Sequence, residues 1–199
     1  MRLFVALDIP DDIRGRIARF ADGVRGFAED ARWVRPDSLH VTLKFIGEQP
    51  ESQLEALGRV LSAIHSAPVK IHFRGYGFFP TPKSARVFWI GLEAGPLLAS
   101  LAGAVDGALS SLGIAKEERA FSPHLTLARA SGGPGAPGRH RSDGSSSTFA
   151  HLQEKLLAWP SPDFGTMTAR EFFLYQSQLS PKGSRYAKLA RFAGTETRE

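Results

Sequence analysis

The stretch "DSLHVTLKFIGE", residues 37–48, decides how the rest of the chain is read. Apolar and polar residues alternate in it with a period of two, the mark of a strand with one face against a core. Residues two apart on a strand share a face, so His40 and Thr42 point together while Val41, Leu43 and Phe45 point the other way. On that parity Phe45 reads as core packing rather than as a surface for a base. A second stretch, "SPHLTLARA" at 122–130, repeats the pattern, with His124 and Thr126 on one face and Leu125 and Leu127 on the other. One such pair on a strand is more economically a satisfied surface or core pair than a catalyst. Two in matching contexts reverse that balance. His140 is a control: Ser142 follows two residues on, but the apolar alternation is missing and the segment reads as a loop.

Working outward, "RLFVALDIP" at 2–10 reads as a strand stopped by proline, with Asp11 or Asp12 capping an amphipathic helix over "IRGRIARFADGVRGFA". A short strand is expected around Trp33, then a turn at Pro36-Asp37-Ser38. Beyond the first motif come a helix in "ESQLEALGRVLSAIHSA", strands in "VKIHFRGYGFF" and "ARVFWIGLE", and a helix in "PLLASLAGAVDGALSSLG" closing at Gly113. After the second motif, "SGGPGAPGRHRSDGSSS" at 131–147 reads as a mobile loop, since it holds no large apolar residue to anchor it. A short helix in "FAHLQEKLLAW", one strand in "MTAREFFLYQSQL", a last strand near "SRYAKLARF" and a polar tail at 194–199 finish the chain. That makes about eight strands and four helices. Mixed order, with no glycine-rich phosphate loop at any strand-to-helix junction, predicts an α+β fold. The histidines lie 84 residues apart, each in its own half of the chain. The expectation is one domain over 1–199, built of two pseudo-twofold-related lobes of mainly antiparallel sheet, helices outside, with the two His-Thr faces opposed across a central groove.

Composition narrows the chemistry. With no cysteine there is no disulfide framework, no thiolate nucleophile and no thiolate metal site. Histidine, hydroxyl and carboxylate chemistry remain. The acidic residues of "PDD", "KEER" and "QPESQLE" sit at turns and helix starts, where solvated caps are the simpler reading. Neither motif offers His40 or His124 an adjacent acidic residue or further histidine, so no metal and no cofactor is expected. His65 and His72 belong to no such pattern and read as structural. Lys and Arg number 25 against 20 Asp and Glu, a formal +5 that favours anionic partners. No run approaches the length of a membrane helix and the start of the chain meets Asp8 too early for a signal peptide, so a cytoplasmic setting is expected.

The pair "HVTL" and "HLTL", with "MRLFVALDIP", "RWVRPDSLHVTLKFIGE", "RAFSPHLTLAR" and "LYQSQLSPKGSRYAKLARF", resembles the two-histidine phosphoesterase superfamily, and within it the bacterial RNA 2′,3′-cyclic phosphodiesterases, also called 2′-5′ RNA ligases. The resemblance covers nearly the whole chain outside 130–148. It implies metal-independent hydrolysis of RNA 2′,3′-cyclic phosphate ends to 2′-phosphates, with reversible 2′-5′ ligation as the same chemistry run backwards. It also implies His124 as general base, His40 as general acid, Thr42 and Thr126 as phosphate donors, and Arg129 as a further phosphate contact. Arg129 has the parity of Leu125 and Leu127, so a bulge or twist at the strand end must free it for that task. Trp33, Phe79 and Tyr186 are candidate stacking surfaces for a terminal base. The competing reading is a non-catalytic module that binds nucleotides or RNA ends in the same groove. A pure binder has no need of two equivalently placed groups that titrate near neutrality.

Overall fold

A computed structural model describes residues 1–131, 148–180 and 183–194. The expected loop beyond Ser131 and nearly all of the tail lie outside them. Among the described residues, nine strands and four α-helices follow in the order β1 (Arg2–Leu7), α1 (Asp11–Val24), β2 (Arg32–Trp33), β3 (Val41–Glu48), α2 (Leu54–Ser62), β4 (Val69–Phe79), β5 (Val87–Ala94), α3 (Pro96–Ser110), β6 (His124–Arg129), α4 (Ala150–Leu157), β7 (Asp163–Ala169), β8 (Glu171–Ser180) and β9 (Gly183–Ala193). They form two sheets, one ordered β3-β1-β8-β9 and the other β2-β6-β5-β4-β7. Every pairing is antiparallel. The α+β expectation holds.

The lobes, however, are not halves of the chain. The first sheet takes β1 and β3 from one end of the sequence and β8 and β9 from the other, while the second takes β2 and β4 to β7. Apolar demand accounts for the placement of β1 at the centre of its sheet: Leu3, Val5 and Leu7 face the main core, and Phe4 and Ala6 join Phe173 and Tyr175 in a smaller cluster on the opposite face. Helix α3 packs on β3 and α2 on β9, while α1 lies on β7. Phe149, just before α4, meets Phe78 and Phe88 of the second sheet.

Two local expectations are corrected. Neither Asp11 nor Asp12 caps α1: Pro10 holds the cap position with no side-chain bond, and both aspartates lie in the first turn, where their charge suits the helix dipole. The run expected as a single strand over 167–179 is two, because the chain leaves the second sheet at Ala169 and enters the first at Glu171. No glycine or proline marks that switch, so the sequence carries no turn signal there. Among the described residues, no helix is long and apolar enough to cross a membrane.

Candidate active site

Both histidines stand at the start of their strands and are held in the same way. His40 immediately precedes β3 and His124 opens β6. His40 Nδ1 lies 2.8 Å from the carbonyl of Ser38, and His124 Nδ1 lies 2.8 Å from that of Ser122. A carbonyl can only accept, so each Nδ1 carries the hydrogen and each Nε2 is left as the nitrogen available for proton transfer. The turn before His40 is itself clamped: the Arg14 guanidinium donates to the carbonyls of Pro36 at 2.7 Å and Leu39 at 3.2 Å.

A β-bulge follows the threonine in each motif. Ala6 pairs with Thr42 but Val5 pairs with Lys44, so Leu43 is the extra residue. Trp89 pairs with Thr126 but Phe88 pairs with Ala128, so Leu127 is extra in β6. A bulge inverts the alternation beyond it. Lys44 is therefore turned inward, 6% exposed, and Phe45 is turned out, 60% exposed, on the His40 and Thr42 face. The packing expectation for Phe45 is overturned for this reason. Arg129 is freed from the core by the same device, as its proposed task requires. Lys44 Nζ is fixed 2.6 Å from Asp106 of α3 and 2.8 Å from the carbonyl of Ala115, which anchors the first bulge.

Burial pushes the His40 imidazole down to about 4; the Ser38 carbonyl and Asp8 oppose this, while Arg129 and Arg14 add to it. His124 is also lowered, mainly by burial, again against its backbone carbonyl and again with help from Arg129. One guanidinium is thus within electrostatic reach of both rings, and β3 and β6 lie against one another. Arg129 and the packing of β3 against β6 are what link the two motifs. Both shifts favour the neutral rings in the free protein. An anion between them favours protonation and opposes the effect of Arg129.

The aromatic candidates divide. Phe79 stands edge-on to the His124 ring at 4.9 Å, and Tyr186 edge-on to His40 at 5.1 Å. Trp33 is elsewhere: its ring meets Phe88 at 5.9 Å and its indole N–H donates to the Ala28 carbonyl at 3.1 Å. Trp89 was not singled out, yet its ring lies beside Phe79 at 4.9 Å and near His124 at 6.4 Å. The alternation of Phe88, Ile90 and Leu92 toward the core carries the missing signal, since it sends Trp89 to the other face. Gly77 makes room for it; a Cβ there would come within 2.1 Å of the indole. His65 lies past the end of α2 rather than in its last turn. His72 bridges strands, 2.9 Å from Asp163 and 3.4 Å from Glu93. No group of three or more His, Cys, Asp or Glu able to hold a metal gathers among the described residues.

Comparison with known proteins gives a consistent picture. Residues 7–89 match the family model described as LigT like Phosphoesterase. A protein of Archaeoglobus fulgidus named RNA 2′,3′-cyclic phosphodiesterase is 36% identical over 96% of this chain and 99% of its own length. One of the same name from Thermus thermophilus is 33% identical over 97% of this chain and 90% of its own. Among solved structures, TT0787 of Thermus thermophilus superposes with a TM-score of 0.74 at 31% identity, covering 98% of this chain and 100% of that one. Escherichia coli LigT complexed with 3′-AMP superposes with a TM-score of 0.74 at 28% identity, covering 98% of each chain.

Proposed function

The chain belongs to the LigT-like phosphoesterase family and is an RNA 2′,3′-cyclic phosphodiesterase, and we propose that it works by metal-independent acid/base catalysis between His40 and His124. The observation that supports this most is the matched pair of Nδ1-to-carbonyl bonds, which leaves two Nε2 atoms for proton transfer with one guanidinium acting on both. Opening the ring needs a base for water and an acid for the departing ribose oxygen, in line across phosphorus. His124 takes a proton from water as its oxygen attacks phosphorus. His40 gives a proton to the ribose 3′ oxygen as the P–O3′ bond breaks, leaving a 2′-phosphomonoester. This division of roles rests on the family resemblance. Thr42 and Thr126, on the two histidine faces, donate to the non-bridging oxygens as charge builds on them, and Arg129 neutralises that charge. Phe45 offers the terminal base an exposed ring on the same face. Reversible 2′-5′ ligation follows if a ribose hydroxyl takes the place of water.

A single two-lobed domain carries the site in this reading, in a cytoplasmic setting. The test is incubation with an oligonucleotide ending in a 2′,3′-cyclic phosphate in excess chelator. A 2′-phosphate product at an undiminished rate is expected. Loss of turnover in the chelator overturns the metal-free mechanism, and a 3′-phosphate product overturns the assignment of the leaving oxygen.

A further inference from the structure

Next to His40 is a cavity of about 330 Å³ whose walls include the turn residue Asp37, Asp8, Arg14, Tyr175, Tyr186 and Lys188. Its volume falls within the ~300–1,000 Å³ of small-molecule sites. Phe45 is not among the residues that line it.

The wall has a specific chemistry. Among the lining residues Arg14 and Lys188 stand against Asp8, which bonds both, and Asp37, which pairs with Arg35 outside the lining at 3.2 Å, so the charges of the lining itself sum to zero. Arg129 has no carboxylate partner among the described residues. A phosphate is therefore drawn to Arg129 and a neutral group to the cavity. Tyr175 stacks on Phe4 with ring centroids 5.1 Å apart, and Tyr186 stands edge-on to the same ring at 5.1 Å. Among the described residues neither phenol is hydrogen-bonded to protein. Burial holds the Tyr175 phenol well above its ordinary range, so it stays an O–H donor. Two aromatic walls, free hydroxyls, a carboxylate at the rim and no net charge suit a nucleoside.

We propose that this cavity receives the nucleoside immediately 5′ of the cyclic end, which makes an oligonucleotide rather than a mononucleotide the preferred substrate. The proposal rests on the cyclic phosphodiesterase reading. In a nucleoside 2′,3′-cyclic phosphate the base on C1′ and the 5′ chain on C4′ flank the ring oxygen on the face away from phosphorus, so the two need separate places in the site. With the terminal base on Phe45, which does not line the cavity, the cavity beside His40 is left for the nucleoside on the 5′ chain.

The test compares kcat/KM for three substrates with the same terminal base: a nucleoside 2′,3′-cyclic phosphate, its 5′-phosphorylated form, and a dinucleotide ending in the cyclic phosphate. The wild type should favour the dinucleotide about tenfold, from stacking of the added base, and should treat the first two alike. Tyr186→Ala and Asp37→Ala should bring the ratio of dinucleotide to mononucleotide toward one. That ratio is unmoved by any loss of His40 support common to all substrates. A wild-type ratio near one, or a ratio unchanged in both variants, overturns the subsite. Preference already complete with the 5′-phosphorylated mononucleotide overturns it in favour of a phosphate site. A variant effect seen only when a 5′-hydroxyl oligonucleotide is supplied as acceptor places the other strand there and also overturns it. No turnover of any of the three by the wild type removes the activity itself, a distinct failure.

Discussion

At the scale of single residues the site is defined by what burial does to two imidazoles. Arg129 lowers both rings, so removing it must raise both. The proposed mechanism needs one ring protonated and the other neutral, so kcat/KM plotted against pH should be a bell set by the free protein's two values. One of these is about 4 and the other lies below the ordinary ~6.5. The optimum therefore falls on the acid side of 6.5. In Arg129→Ala both limbs should move to higher pH while the maximum drops, read from kcat/KM across about pH 4–8. A profile that only falls in height, with its limbs in place, would mean that the guanidinium acts on substrate and not on the rings. The matched placement of His40 with Thr42 and of His124 with Thr126 was legible in sequence because the motif is local and occurs twice. The depth of the His40 shift was not, since it comes from Phe4, Tyr175 and Tyr186, which strands far apart in the chain bring around the ring.

Among the elements, β3 and β6 show where a period-two reading stops working. Alternation placed His40 and Thr42 correctly and then failed at the next turn of the pleat, because nothing in "TLKF" announces an extra residue. The cause lies on α3: Asp106 draws the Lys44 ammonium inward, and the same ion pair holds the aspartate's carboxyl below its usual range. Lys44→Met should cost about 2–4 kcal/mol in chemical denaturation, because it strands a carboxylate that is partly shielded from water. Lys44→Met with Asp106→Leu should recover part of that loss. Phe45→Ala separates the two consequences of the bulge: KM for a nucleoside 2′,3′-cyclic phosphate should rise about tenfold, the worth of one stacked base, with little change in Tm. Equal KM for Phe45→Ala and wild type would remove the ring from the binding site.

Over the whole molecule, fold class was readable from element order, but the assignment of elements to lobes was not. The match between the two motifs suggests two halves; the sheets instead interleave, with β1 paired to β8 and α1 lying against β7. Strand partners are chosen by long-range burial, and Val5 at 0% exposure records that choice without any local cue. Because one contiguous core runs through both sheets, urea unfolding should be a single transition, coincident by far-UV circular dichroism and tryptophan fluorescence. Two separated midpoints would show lobes that fold independently. The interleaving also sets a timetable for synthesis. Val5 and Leu174 are neighbours in the finished sheet, yet a ribosome adding about 5–20 residues per second makes the second roughly ten to thirty seconds after the first. Through that interval β1, emerging long before its second partner β8 exists, has to be sheltered by β3 alone or by a chaperone.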